Sequence, residues 1–126
     1  MKRNLSIVTL LVLTFFMVRP AVSADFDKGL AAAQSGDFAT ALKEWKPLAE
    51  QGNANAQYNL GVMYATGQGV LQDYVQAHMW FNIAASSGDK LATKGRDNVA
   101  KRMSPSDVSE AQKLARQCVK KKYKNC

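Results

Sequence analysis

The sequence has few residues of the types that build metal centres. Its 126 residues include one histidine and two cysteines, whereas a structural zinc site needs four ligands and a catalytic one needs three protein ligands. Three prolines and eight glycines are too few for a collagen-like or low-complexity chain. We therefore expect a folded chain with no metal site and no cofactor.

A recognisable set of catalytic residues is also missing. His78 is the single histidine, and no serine or cysteine stands at a recognisable spacing from it. A histidine without a nucleophile beside it packs in the core or lies at the surface more often than it catalyses. We expect the protein not to be an enzyme, and we predict no catalytic residues.

The N-terminal segment has the pattern of a secretory signal peptide. A positive start at Lys2 and Arg3 precedes an apolar run over residues 5–18, and small residues follow at Ser23 and Ala24. The run is shorter than the roughly 20 residues that span a bilayer. We predict cleavage after Ala24 and a periplasmic or secreted protein, with an uncleaved anchor as the alternative.

Charge is unevenly distributed over the remaining chain. Residues 25–89 hold three lysines against seven acidic residues, whereas residues 90–126 hold eleven lysines and arginines against three acidic ones. The most basic stretch contains Lys120, Lys121, Lys122 and Lys124. It is interpreted either as a solvated tail or as a weak contact for a polyanion.

The central part of the chain repeats itself at a spacing of 36 residues. Small, aromatic and acidic residues recur at matching places, which is typical of stacked helix pairs. The matches are Asp37-Phe38 with Asp73-Tyr74, Ala41 with Ala77, Trp45 with Phe81, Ala49 with Ala85, Gly52 with Gly88, and Ala56 with Ala92.

Capping residues and glycines predict six helices and no strands. Aspartate, serine and glycine stand where helix starts and stops need them, and Pro47 should bend or strain the second helix. The predicted helices cover residues 26–35, the segment between Asp37 and Gly52, residues 54–66, 74–87 and 90–102, and a segment that opens at Ser104 and extends to Cys118.

Gly61 in the middle of the third helix indicates close packing. Glycine there costs about 1 kcal/mol relative to alanine, so we predict that a neighbouring helix approaches at this point. The residues expected to face it are Ala77, Ala84 and Ala85. The large side chains expected to fill the core are Trp45, Leu60, Tyr64, Trp80 and Phe81.

These residues resemble a Sel1-like repeat, a member of the tetratricopeptide-like families. Residues 54–70 read ANAQYNLGVMYATGQGV, followed by Asp73-Tyr74, Ala77, Trp80, Ala84-Ala85 and Gly88. The resemblance implies an all-α fold, a short α-solenoid of antiparallel helix pairs with a C-terminal capping helix. Together with the N-terminal pattern and the basic C-terminal stretch, the resemblance divides the chain into a signal peptide 1–24, a repeat domain 25–119 and a basic tail 120–126. Within the domain lie a partial leading unit 26–52, a complete repeat 54–89 and a terminal cap 90–119.

The resemblance also implies a protein-protein interaction module or adaptor, here in the bacterial cell envelope. If Ala56, Leu60 and Tyr64 point into the core, residues between them point outward, and the shift of 36 gives their counterparts in the next unit. The candidate partner-binding residues are Tyr58, Asn59, Val62, Lys94, Asn98 and Arg102. A plain solvated face is the alternative. A stack of so few helix pairs lies close to the lower limit for stability, and self-association is a second way to complete it.

The two cysteines predict a disulfide between Cys118 and Cys126, because an exported chain meets an oxidising compartment. The alternative is a buried Cys118 with Cys126 free or bonded to another chain. Some cysteine-rich Sel1-like proteins bind or hydrolyse β-lactams, and an envelope hydrolase of that type is the alternative function. Those proteins carry a cysteine pair in each repeat, whereas here both cysteines lie outside the repeats, which argues against this alternative.

Overall fold

A computed structural model describes residues 24–126, which form six α-helices and no strand. The predicted all-α fold is confirmed. The predicted signal peptide lies outside the described residues, except for Ala24. The helices are α1 (Phe26–Gln34), α2 (Phe38–Glu50), α3 (Ala54–Thr66), α4 (Tyr74–Ser86), α5 (Lys90–Ala100) and α6 (Pro105–Lys120).

Each helix begins at a side chain that accepts a hydrogen bond from a backbone N–H of its first turn. The capping residues are Asp25, Asp37, Asn53, Asp73, Asp89 and Ser104. Such caps contribute about 1 kcal/mol each. The spacing of 36 is kept in the turns, where Gly52 has φ 91° and Gly88 has φ 90°, a backbone conformation that glycine adopts without strain.

Three helices end one or two residues earlier than their sequence indicates. N–H groups just after these ends donate to carbonyls three residues back, as Ser87 does to Ala84 and Arg102 does to Val99. Such hydrogen bonds tighten the final turn. α2, in contrast, runs through Pro47 to Glu50. Pro47 is exposed and lies inside the helix, one turn from its end.

The helices stack in sequence order up to α5. α1 pairs with α2 and α3 with α4, while α3 also packs on α2, and α5 packs on α4 and α3. α6 departs from this order, since it lies along α4 and has little backbone contact with α5. α4 is therefore the central helix, with α3, α5 and α6 around it.

A first core cluster joins α2, α3, α4 and α6. Both tryptophans are buried in it, as predicted, together with Leu60, Ile83 and Cys118. The Trp45 Nε1–H donates to the Phe26 carbonyl at 3.2 Å, which satisfies its single polar group and ties α1 to α2.

The predicted close approach at Gly61 is confirmed, but the group that fills the space is an aromatic ring. A Cβ placed on Gly61 would lie 2.5 Å from Cδ1 of Phe81, and one placed on Gly95 would lie 2.9 Å from Cε1 of the same ring. The alanines expected to face Gly61 flank this contact on α4. The Phe81 ring thus lies between two glycines, one on α3 and one on α5.

The C-terminal segment folds back on the body of the protein. Cys118 and Cys126 form a disulfide, with their Cα atoms 5.5 Å apart, so the predicted pairing is present in the structure. The Tyr123 N–H donates to the Cys118 carbonyl at 2.9 Å, and its ring lies over the turn at Gly52. The basic segment is consequently held against the α2–α3 turn, while its lysines stay exposed.

The packing of Phe81 predicts that Gly61→Ala destabilises the protein although alanine favours helices. We expect a net loss of about 1–2 kcal/mol, because overpacking outweighs the gain in helix propensity. Urea unfolding measures it. In a Phe81→Leu background, which frees the space, the same substitution should become neutral or stabilising; a stabilising Gly61→Ala in the native background would contradict the packing.

The bridge predicts that Cys126→Ser lowers the free energy of unfolding by about 2–3 kcal/mol on the chain-entropy estimate. This variant keeps the buried Cys118, so it removes the cross-link without opening a cavity. Lys124→Ser is the matched control in the same segment and should change stability little. Alkylation of two thiols in the unreduced protein would show that the bridge does not form.

Candidate functional site

α3 and α5 lie side by side and carry all but one of the candidate partner-binding residues. Tyr58, Asn59 and Val62 are on α3, Lys94 and Asn98 are on α5, and Arg102 follows the end of α5. We refer to these six residues as the α3–α5 surface. Three of the six residues are exposed, namely Lys94, Asn98 and Arg102.

The three residues on α3 are half-buried, although the helix pattern predicts that they point away from the core. Tyr58 and Val62 pack against the second core cluster, which includes Phe81 and Val99. The ring centroids of Tyr58 and Phe81 are 5.6 Å apart, with planes tilted by 43°. The Tyr58 ring is therefore supported from below and loses little side-chain freedom on contact with a partner.

A shallow concavity of about 240 Å³ lies at the C-terminal ends of α3 and α5. It is lined by Ala65, Thr66, Tyr74, Asn98, Val99 and Arg102. Arg102 Nη1 and Gln72 Nε2 each lie 3.4 Å from the Tyr74 hydroxyl oxygen, and Gln72 Nε2 also donates to the Ala65 carbonyl at 2.8 Å. Because Arg102 is the one charged residue in the lining, the concavity favours an acidic or carbonyl group.

The structure brings only part of the predicted set together in this concavity. Asn98 and Arg102 line it, and Lys94 lies about one turn before Asn98 on α5. Thr66 and Tyr74 belong to the same concavity and were not predicted. A signal for Tyr74 was available. The first copy of the repeat has Phe38 at the matching position, and a purely apolar contact has no use for the hydroxyl group that Tyr74 adds.

Comparisons with known proteins agree with this architecture. A family model for the Sel1 repeat matches residues 54–89. The crystal structure of c5321, a protective antigen present in uropathogenic Escherichia coli strains that displays an SLR fold, superposes with a TM-score of 0.69 at 30% sequence identity. The match covers 78% of this chain. Residues 54–89 are therefore a Sel1 repeat, within a helix stack that has the SLR fold.

The chain spans 23% of the length of the c5321 chain. No curated protein matches it. The repeat fold supports a role as a protein-interaction module and is typically a non-catalytic scaffold. Among residues 24–126, no helix is both long and apolar enough for a membrane crossing, and no group of three or more His, Cys, Asp or Glu side chains could hold a metal ion.

His78 is buried in the interior of the helix stack. Its side chain is 2% exposed, and Nδ1 has no hydrogen-bond partner among the described residues. Burial lowers the pKa of His78, and the nearby Arg96 lowers it further, while Asp97 acts in the opposite direction. The neutral imidazole is therefore the form that the native packing favours.

The lowered pKa predicts that the protein loses stability as the pH falls below about 6.5, the usual value for histidine in an unfolded chain. The unfolded chain then binds a proton that the native state resists, so stability is full above this pH and declines below it. Urea unfolding at pH 7.5 and 5.5 should show a loss attributable to His78 of about 1.4 kcal/mol at most. His78→Gln should remove that difference; an unchanged pH dependence would contradict the account.

Proposed function

We propose that this protein is an exported adaptor of a bacterial cell envelope that binds a protein partner through the α3–α5 surface. The observation that carries the proposal is the arrangement of supported apolar side chains beside exposed polar ones. Tyr58 and Val62 rest on the second core cluster, while Asn98 and Arg102 extend into solvent around the concavity. Anchored aromatic residues and arginines are the types that dominate binding energies at interfaces.

The charge of this surface supports a particular kind of partner. Lys94 and Arg102 are its charged members, and both are basic. A partner segment with an acidic residue near Arg102 and an apolar residue over Tyr58 and Val62 fits both features. The proposed partner is therefore an acidic protein segment, bound along the two helices.

Two features support export. The first residues have the pattern of a cleaved signal peptide. The disulfide between Cys118 and Cys126 fits an oxidising compartment such as the periplasm or the exterior, because thiols stay reduced in the cytosol. The envelope is accordingly the proposed site of action.

Site-specific photo-crosslinking tests the proposed surface. A photoreactive amino acid at Asn98 in the full chain, illuminated in the source cells, should give a discrete protein adduct, and the same amino acid at Lys113 on α6 should not. Tyr58→Ala and Arg102→Ala should each reduce the Asn98 adduct at least about tenfold if these residues are binding hot spots. Lys113→Ala is the matched control. Equal adducts from both positions, or no effect of Tyr58→Ala, would reject the surface.

The alternatives have less support from residues 24–126. His78 is buried, and both cysteines are bonded to one another, so neither provides an accessible nucleophile or base for an envelope hydrolase. Hydrolysis of a chromogenic β-lactam by the purified protein would overturn the non-catalytic proposal.

A polyanion contact through the exposed lysines at 120, 121, 122 and 124 would weaken steeply with salt, and salt-insensitive binding would exclude it.

A further inference from the structure

A second surface lies between α4 and α6. A groove of about 360 Å³ separates the C-terminal halves of these helices. Ile83, Ala115 and Val119 form its apolar walls, and Arg116 and Lys120 border it, with no acidic residue in its lining. Val119 remains 47% exposed. The groove therefore combines an apolar floor with a positive border.

α1, at the other end of the stack, has the complementary character. It buries one face against α2, its main neighbour, and leaves the opposite face in solvent. That exposed face contains Asp27, Leu30, Ala31 and Gln34, which fall on one side of a helix by their spacing. Leu30 is 40% exposed. Lys28 lies to the side, where its Nζ is 3.4 Å from Glu44 Oε1, so Asp27 is the one charged residue of the four on this face.

We propose that α1 of a second copy of this chain occupies the α4–α6 groove. Leu30 of the incoming helix would contact the walls at Ile83 and Val119, and Asp27 would lie near Arg116 and Lys120. In the helix-in-groove mode one face of a helix, at positions i, i+3 and i+4, enters such a groove, and on α1 this face has Leu30 and Ala31 as its apolar members. Charge complementarity between Asp27 on the exposed face of α1 and the basic border of the groove, Arg116 and Lys120, selects this occupant.

The two surfaces are different, so the contact is head-to-tail. Each copy that donates its α1 still has an open groove, and each copy that donates its groove still has a free α1. Such a heterologous contact grows into open chains unless its rotation happens to close a ring. This inference is independent of the α3–α5 surface, because it uses other helices.

Sedimentation velocity of the full chain, after any processing by the host, measures the assembly directly. The weight-average mass should rise with concentration and pass beyond that of a dimer, and it should fall with added salt because charged side chains contribute. Leu30→Arg on α1 and Val119→Arg in the groove should each abolish the growth. Leu91→Arg is the matched control, since Leu91 is 59% exposed on α5, and it should leave growth unchanged.

Mixing the two variants gives the sharpest outcome. The Leu30→Arg chain keeps an intact groove, and the Val119→Arg chain keeps an intact α1, so together they should form a 1:1 pair and stop there. Asp27→Lys should weaken association by more than about threefold, because it removes an exposed ion pair and brings like charges together, and Arg116→Glu in the same chain should restore association.

Several outcomes would overturn the inference. A mass that stays that of a monomer at millimolar concentration excludes the contact, and a mass that stops at a dimer in the native chain indicates a symmetric interface elsewhere. Failure of the two variants to pair, or an equal effect of Leu91→Arg, excludes these surfaces. Urea unfolding of each variant shows whether its fold is intact, and photo-crosslinking at Asn98 reports separately on partner binding.

Discussion

The structure depends on one aromatic ring between two glycines. Phe81 projects from α4 and fits against Gly61 on α3 and Gly95 on α5, and it is buried with Ala77 and Ala84. Because neither glycine has a side chain, both neighbouring helices approach the ring closely. This contact fixes how α3, α4 and α5 lie relative to one another, and therefore where the α3–α5 surface presents its side chains.

Much of the fold was predictable because its signals are local. Aspartate and asparagine caps and glycine turns repeat at a spacing of 36, and each acts on the helix it adjoins. Gly61 also indicated a close contact, since a glycine in a helix needs compensation. Gly95 was not predicted, because the shift of 36 pairs Gly61 with Asp97 instead. The placement of α6 on α4 was also beyond the sequence, since an apolar stripe indicates burial but does not identify the neighbouring helix.

The candidate site shows the same division. The helix pattern gave the direction of Lys94 and Asn98, which are exposed. It did not predict that Tyr58 and Val62 are half-buried, because their burial depends on packing against Phe81, which lies on another helix. Tyr74 joins the concavity through a bend of the chain between α3 and α4, which no spacing on α3 or α5 encodes. The predicted pairing of Cys118 with Cys126 is present, since it requires only a short return of the chain.

The central role of Phe81 is tested most directly by proton NMR of the native protein. The ring current of an aromatic side chain shifts the resonances of protons packed against it, so the Hα resonances of both Gly61 and Gly95 should be displaced from their unfolded values. Both should also show nuclear Overhauser contacts to the Phe81 ring protons. Glycine Hα shifts near their unfolded values, with contacts from the ring to only one of the two helices, would contradict the account.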